Sequence, residues 1–259
     1  MKVIILCGGT GTRLKEETEF KPKPMVYVGN KPIIWHIMKM YSAYGFNEFI
    51  LALGYKADYI KDFFLNQKAF TSDFTLDTTT HQATYHLENR SEVDDFKITF
   101  VDTGLDTQPG ERILRCKQYI PKEDTYFMVT YGDGVSDIDM KKLFSFHKKQ
   151  KTIGTITGIH PKSKYGAITV RDKGLVAAFN EKPLLSDWVN GGFMVFDKRV
   201  FSFFKPGETE HPCLQRLAKK KQLSLYRHTN FWFCMDTYKE VEELNKLWNS
   251  QSPLWKIWN

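Results

Sequence analysis

The chain lacks any apolar run of the roughly 18 residues that a membrane-spanning helix needs. It is short of cysteine. The four present, Cys7, Cys116, Cys213 and Cys234, form no C-x-x-C pair, which argues against a metal knuckle or a dithiol redox motif. The apolar run at the start is too short for a secretory signal, so the expected compartment is the cytoplasm and the expected state of the cysteines is free thiol. Internal repeats and low-complexity linkers are missing, and one domain over residues 1–259 is expected. Negative charge is in deficit, with 37 Lys and Arg against 30 Asp and Glu. Much of the excess is local, at Lys141, Lys142, Lys148, Lys149, Lys151 and Lys219 to Lys221. These positions fall on or just after helical faces, where a solvated surface is the plain reading. A basic pocket for a small polyanion is the next reading. Nucleic acid comes third, because no nucleic-acid-binding module is present.

What the chain does have is an alternation of strand and helix. Lys2 to Leu6 is a mostly apolar strand, and Glu48 to Leu53 is a second. Between them Ile33, Ile34, Ile37, Met40 and Tyr41 recur at helical spacing, and Gly45 closes the helix. Asp58 to Phe64 begins another helix. This order is the mark of parallel βαβ units. The predicted fold is therefore α/β: a Rossmann-like, mixed but mostly parallel sheet flanked by helices. Later strands are expected at 97–101, 126–130, 152–159, 192–196 and 224–228, with helices at 111–117, 139–149, 212–221 and 238–248. Residues 66–95 break the rhythm. They are rich in Thr, Asp and His, with Phe74, Leu76 and Thr78 alternating with polar neighbours, and they predict inserted antiparallel hairpins.

The first strand runs into L-C-G-G-T-G-T-R-L at 6–14, followed by K-P-K-P-M at 21–25. A strand ending in glycines exposes backbone N–H groups at the C-terminal edge of the sheet, where open α/β folds bind anionic ligands. A P-loop would need a glycine at position 13, which is Arg13. A dinucleotide fingerprint would need a third glycine at position 14, which is Leu14. The remaining form, with G-D-G at 132–134, E-K-P at 181–183, N-G-G at 190–192 and M-D-T at 235–237 in order, resembles the sugar nucleotidyltransferase family. Within it, V-D-T-G at 101–104, Thr107 and Arg112, W-H-I-M-K at 35–39 and W-K-I-W at 255–258 are similar to the cytidylyltransferases that act on glucose 1-phosphate.

The resemblance spans the whole chain and implies a site. Nucleotide-binding residues would be Leu6, Cys7, Gly8, Gly9, Gly11, Thr12, Arg13, Lys23, Thr107, Arg112 and Gly132. Arg13, Lys23 and Asp133 would be catalytic, with Arg13 on the leaving pyrophosphate and Lys23 on the α-phosphate. Asp133 and Asp236 would hold Mg²⁺, which favours a few protein oxygens beside phosphate and water. The acceptor would meet Tyr131, Glu181, Lys182, Asn190 and Gly191. Arg112 and Thr107 would select cytosine, whose O2 and N3 both accept hydrogen bonds. The implied substrates are CTP and a phosphorylated acceptor, and the implied assembly is a homo-oligomer, a trimer or hexamer. The 66–95 insertion and the aromatic tail (Trp248, Leu254, Trp255, Trp258) are its expected contact surfaces.

Three features depart from the family pattern. Cys7 stands where relatives have alanine, Glu208 to Leu214 replaces a tryptophan-and-glutamate run, and the insertion carries His81, His86 and Arg90. They leave the acceptor open: another phosphorylated compound would also fit. A nucleotide sensor without turnover is the second class of reading, although it would not need both aspartates.

Overall fold

A computed structural model of the protein describes residues 1–86, 94–250 and 252–258. Seven strands form the central sheet. In chain order they are β1 (Val3–Cys7), β2 (Glu48–Leu53), β3 (Lys97–Asp102), β4 (Tyr126–Tyr131), β5 (Gly154–Ile159), β6 (Val189–Asp197) and β7 (Leu223–Arg227). Across the sheet the order is β7-β5-β6-β4-β1-β2-β3. Only β6 runs against its neighbours, β4 and β5; the other pairings are parallel. The sheet is thus mixed and mostly parallel, as predicted.

The strands alternate because both faces are covered. On β1, Val3, Ile5 and Cys7 enter one core while Ile4 enters the other; on β2, Phe49, Leu51 and Leu53 oppose Ile50 and Ala52. The first core takes the apolar stripe of α1 (Ile33–Ser42), Ile60 of α2 (Ala57–Leu65) and Val241 and Leu244 of the last helix. The second takes Ile113 and Cys116 of α3 (Pro109–Cys116). It also takes Cys213, Leu214 and Leu217 of the helix Glu210–Lys219. A further helix, α4 (Met140–Gln150), starts on an Asp139 side-chain cap and points its lysines outward.

The described residues of the insertion form a short helix, Gln67–Thr71, and a hairpin, Asp73–Asp77 with Gln82–His86. Arg90 lies outside the described residues. A second hairpin, Ala167–Val170 with Val176–Asn180, stands off the body with every residue from Ala167 to Lys182 exposed.

The aromatic tail corrects an expectation. Trp255 is 0% exposed, and Trp248 and Trp258 pack against the first core; of the four residues offered as contact surface, only Leu254 is largely exposed. The tail folds back on α1, where the His36 ring meets Trp35, Trp248, Trp255 and Trp258. Apolar surface of that size is satisfied within the chain, so it needs no second copy to cover it.

Candidate active site

At the C-terminal edge of β1, β2 and β3 the chain closes around one guanidinium. Arg112 on α3 is buried, and its terminal nitrogens donate to the main-chain oxygens of Leu53 (3.0 Å), Gly104 (2.7 Å), Gly8 (3.0 Å) and Leu105 (2.9 Å) and to Thr103 Oγ1 (2.6 Å). Gly8 permits this: a Cβ there would lie 2.1 Å from Arg112 Nη1. Behind the glycines comes a three-residue 3-10 turn, Thr12–Leu14, and then a helix of only four residues, Lys15–Thr18. Any anion at this loop would meet loop N–H groups and side-chain cations, since so short a helix carries little dipole.

Lys23 is 8% exposed, set in a 3-10 turn between Pro22 and Pro24. Its ammonium binds Asp133 (2.6 Å) and Asp236 (2.7 Å), and Arg13 Nη1 binds the other oxygen of Asp236 (2.8 Å). Burial by itself would pull the Lys23 pKa down, but the two carboxylates outweigh it and the pKa is raised. Burial pushes Asp236 up, yet Lys23 and then Arg13 hold its carboxyl below the usual value. Asp133 follows the end of β4. Asp236 follows the strand Trp232–Cys234, which pairs with Gly134–Ser136. That pairing brings two residues 103 positions apart onto one cation.

Two cavities meet here. The larger, about 600 Å³, runs from the glycine loop to Leu105–Pro109 and Arg112. The smaller, about 260 Å³, lies between Asn190–Phe193, Trp232 and Asp236. Arg13, Tyr131 and Asp133 line both.

A nucleotidyl transferase family model matches residues 2–251. The chain belongs to the nucleotidyl transferase family. It is 44% identical to a probable glucose-1-phosphate cytidylyltransferase of Bacillus subtilis (strain 168) and 41% identical to the glucose-1-phosphate cytidylyltransferase of Salmonella typhimurium, with all of each chain covered. A Bacillus anthracis chain solved in complex with sucrose superposes with a TM-score of 0.69 over 96% of both chains; at 19% identity it shows the fold alone.

In this nucleotidyltransferase, Leu6, Cys7, Gly8, Gly9, Gly11, Arg13, Lys23, Thr107, Arg112 and Gly132 all line the larger cavity, while Asn190 and Gly191 line the smaller. Thr12 does not line either; it is exposed on the 3-10 turn. Glu181 and Lys182 do not reach the cavities. They sit at the end of the exposed second hairpin, with Lys182 at a φ of 47°.

Cys7 is buried, and burial first, then the Asp133 charge, pushes its thiol up, so it packs as a small apolar group. Missed were the neighbours of Thr107 in the Leu105–Pro109 wall, Trp232, whose indole donates to Gly191 O (2.7 Å), and Cys234 beside the two aspartates. The wall could have been found from its position between V-D-T-G and Arg112. Trp232 and Cys234 carry no local signal.

The donor set suits a hard cation. A carboxylate oxygen from each of Asp133 and Asp236, and Cys234 Sγ, lie within 4.8 Å of one another. The two carboxylates already face a shared positive charge, the Lys23 ammonium. Mg²⁺ would take the oxygens and leave the thiol aside.

Proposed function

We propose that the protein transfers the cytidylyl group of CTP to a sugar 1-phosphate, α-D-glucose 1-phosphate above others, releasing pyrophosphate. The observation that carries this reading is the meeting of the two cavities at Arg13, Tyr131 and Asp133, where Lys23 of the larger cavity pairs with Asp133. The names of the 41–44% identical relatives support it.

The larger cavity would hold the nucleotide, with its triphosphate along the glycine loop. The smaller would hold the acceptor. A phosphate oxygen of the acceptor attacks the α-phosphorus, the bond to the bridging oxygen of the β-phosphate breaks, and pyrophosphate leaves along the loop. Such a displacement needs alignment and positive charge more than covalent help. Arg13 supplies charge to the leaving group and Lys23 to the α-phosphate. Asp133 and Asp236 would hold Mg²⁺, which supplies further neutralisation when bound.

Base choice falls to Arg112 with Thr107. Arg112 spends its terminal nitrogens on main-chain oxygens and Thr103 Oγ1, so cytosine binds by replacing the carbonyls of Gly104 and Leu105, which belong to the loop between β3 and α3. Uracil and thymine present N3–H to the same donors and are rejected. Lys182 and Glu181 engage the acceptor only if their hairpin folds onto the smaller cavity. A homo-oligomer remains part of the proposal, with Phe74 and Leu76 of the first hairpin as exposed contact residues.

Pyrophosphate release from Mg²⁺, CTP and a panel of phosphorylated acceptors tests the reading. Release with glucose 1-phosphate is expected. No release with any acceptor, but tight CTP binding, would favour the sensor reading instead.

A further inference from the structure

Tyr131, one of the three residues shared by both cavities, is held from behind by a glutamate that sequence reasoning left unassigned. Glu210 opens the helix Glu210–Lys219 and is 4% exposed. The Tyr131 hydroxyl donates to Glu210 Oε1, while Glu210 Oε2 is buried without a hydrogen-bond partner. His211, itself exposed, stands 3.5 Å from Oε1. A buried carboxylate with so few donors is costly, and its retention asks for a reason.

The reason lies on the cavity side of the phenol. Gly192, at a φ of 85°, packs on the Tyr131 ring so closely that a Cβ would lie 2.5 Å from it. Its N–H donates to Asn190 Oδ1 (3.0 Å), so the amide oxygen is spent on Gly192 and the Asn190 side chain acts on the phenol through its nitrogen, working against the rise that burial and Glu210 impose on the Tyr131 pKa. Gly192 thus donates to Asn190 on one side of the ring, and the phenol donates to Glu210 on the other. Glu210 Oε1 accepts from the phenol, so the phenol spends its one proton on Glu210. Its remaining lone pair is all that the phenol oxygen can offer a ligand.

We propose that Glu210 is a positioning residue that fixes the hydrogen-bond polarity of the smaller cavity, holding Tyr131 as an acceptor that selects a hydroxyl donor on the bound sugar. This rests on reading the smaller cavity as the acceptor pocket. Glu210 touches neither substrate; it acts through Tyr131.

The test uses the full chain with CTP and glucose 1-phosphate. Glu210→Gln, which can donate to the phenol and release its proton toward the cavity, raises KM for glucose 1-phosphate about tenfold and leaves KM for CTP within about twofold. Glu210→Asp, an acceptor still, retains more of the wild-type KM. Added to Tyr131→Phe, Glu210→Gln costs nothing further, because both act on one bond. Separately, the ¹³Cζ resonance of Tyr131, assigned by its loss in Tyr131→Phe, moves in Glu210→Gln. An unmoved resonance, equal changes in both KM values, or additive effects in the double variant overturn the proposal. If the wild type releases no pyrophosphate with glucose 1-phosphate, the functional reading fails, and the resonance still decides whether Glu210 sets the state of the phenol.

Discussion

Lys23 binds two carboxylates that would otherwise face each other, and Arg13 binds the more buried of them from the solvent side. Removing the buried ammonium with Lys23→Met is expected to lower kcat by a factor on the order of 10²–10³, the usual cost of losing one fixed charge donor at a transition state. Arg13→Ala should act in the same direction. Asp236→Asn should raise the Mg²⁺ concentration for half-maximal rate, measured by pyrophosphate release, and leave the CTP dissociation constant in the absence of metal nearly unchanged. The pH signs differ for the two partners. The raised pKa of Lys23 contributes stability that is present below its unfolded value and lost as pH rises through the folded one. The depressed pKa of Asp236 contributes stability above its unfolded value, lost as pH falls through the folded one. Cys7, buried with its thiol pushed up, should resist iodoacetamide in the native protein, with activity intact after treatment. Rapid alkylation of Cys7 with loss of rate would make it a reactive residue of the site.

Among the elements, the second hairpin has the least support from its own chain. Ile168 is 57% exposed and Phe179 61%, and a two-stranded ribbon is marginal by itself in water. Lys182→Ala should raise KM for the acceptor by about tenfold, the worth of one charged hydrogen bond, and spare KM for CTP. Equal effects on both substrates would put Lys182 outside the acceptor site. The strands were legible because both faces of the sheet are buried: Glu48–Leu53 is a continuous apolar run between Glu48 and Gly54, and its bounds were read correctly. The last helix, Tyr238–Trp248, was also read to the residue, and the structure adds the Thr237 capping box that starts it. The two aspartates were legible as motifs, but their convergence depends on the pairing of Trp232–Cys234 with Gly134–Ser136, a contact with no local pattern. Arg112 was legible by resemblance, yet its burial was not. Charge on a helix reads as surface, and only the stack of main-chain oxygens from three strand ends makes the burial favourable.

For the whole molecule, the tail is the clearest case of a global contact hidden from sequence. Aromatic residues after the last helix read as an interface; instead Trp255 is driven into the chain's own core, with its indole donating to His36 Nδ1. Trp255→Ala should destabilise the fold by about 3–5 kcal/mol in denaturant titration, as for other fully buried large side chains. His36 gives this contact a pH signature. Burial holds its pKa at about 4, so stability is complete above about 6.5 and falls as pH drops toward 4. The loss over that interval is about 3 kcal/mol, and His36→Gln should flatten it. No helix among the described residues is long and apolar enough to cross a membrane. The sheet, the two cavities and the cations between them converge on one claim, that the chain joins a cytidylyl group to a sugar phosphate. The direct test is kcat/KM for CTP against UTP and dTTP, read as pyrophosphate release with glucose 1-phosphate and Mg²⁺. The account predicts turnover with CTP at least about 10²-fold above either rival, the discrimination expected when a buried donor meets the wrong base edge. Comparable values for UTP or dTTP would contradict it.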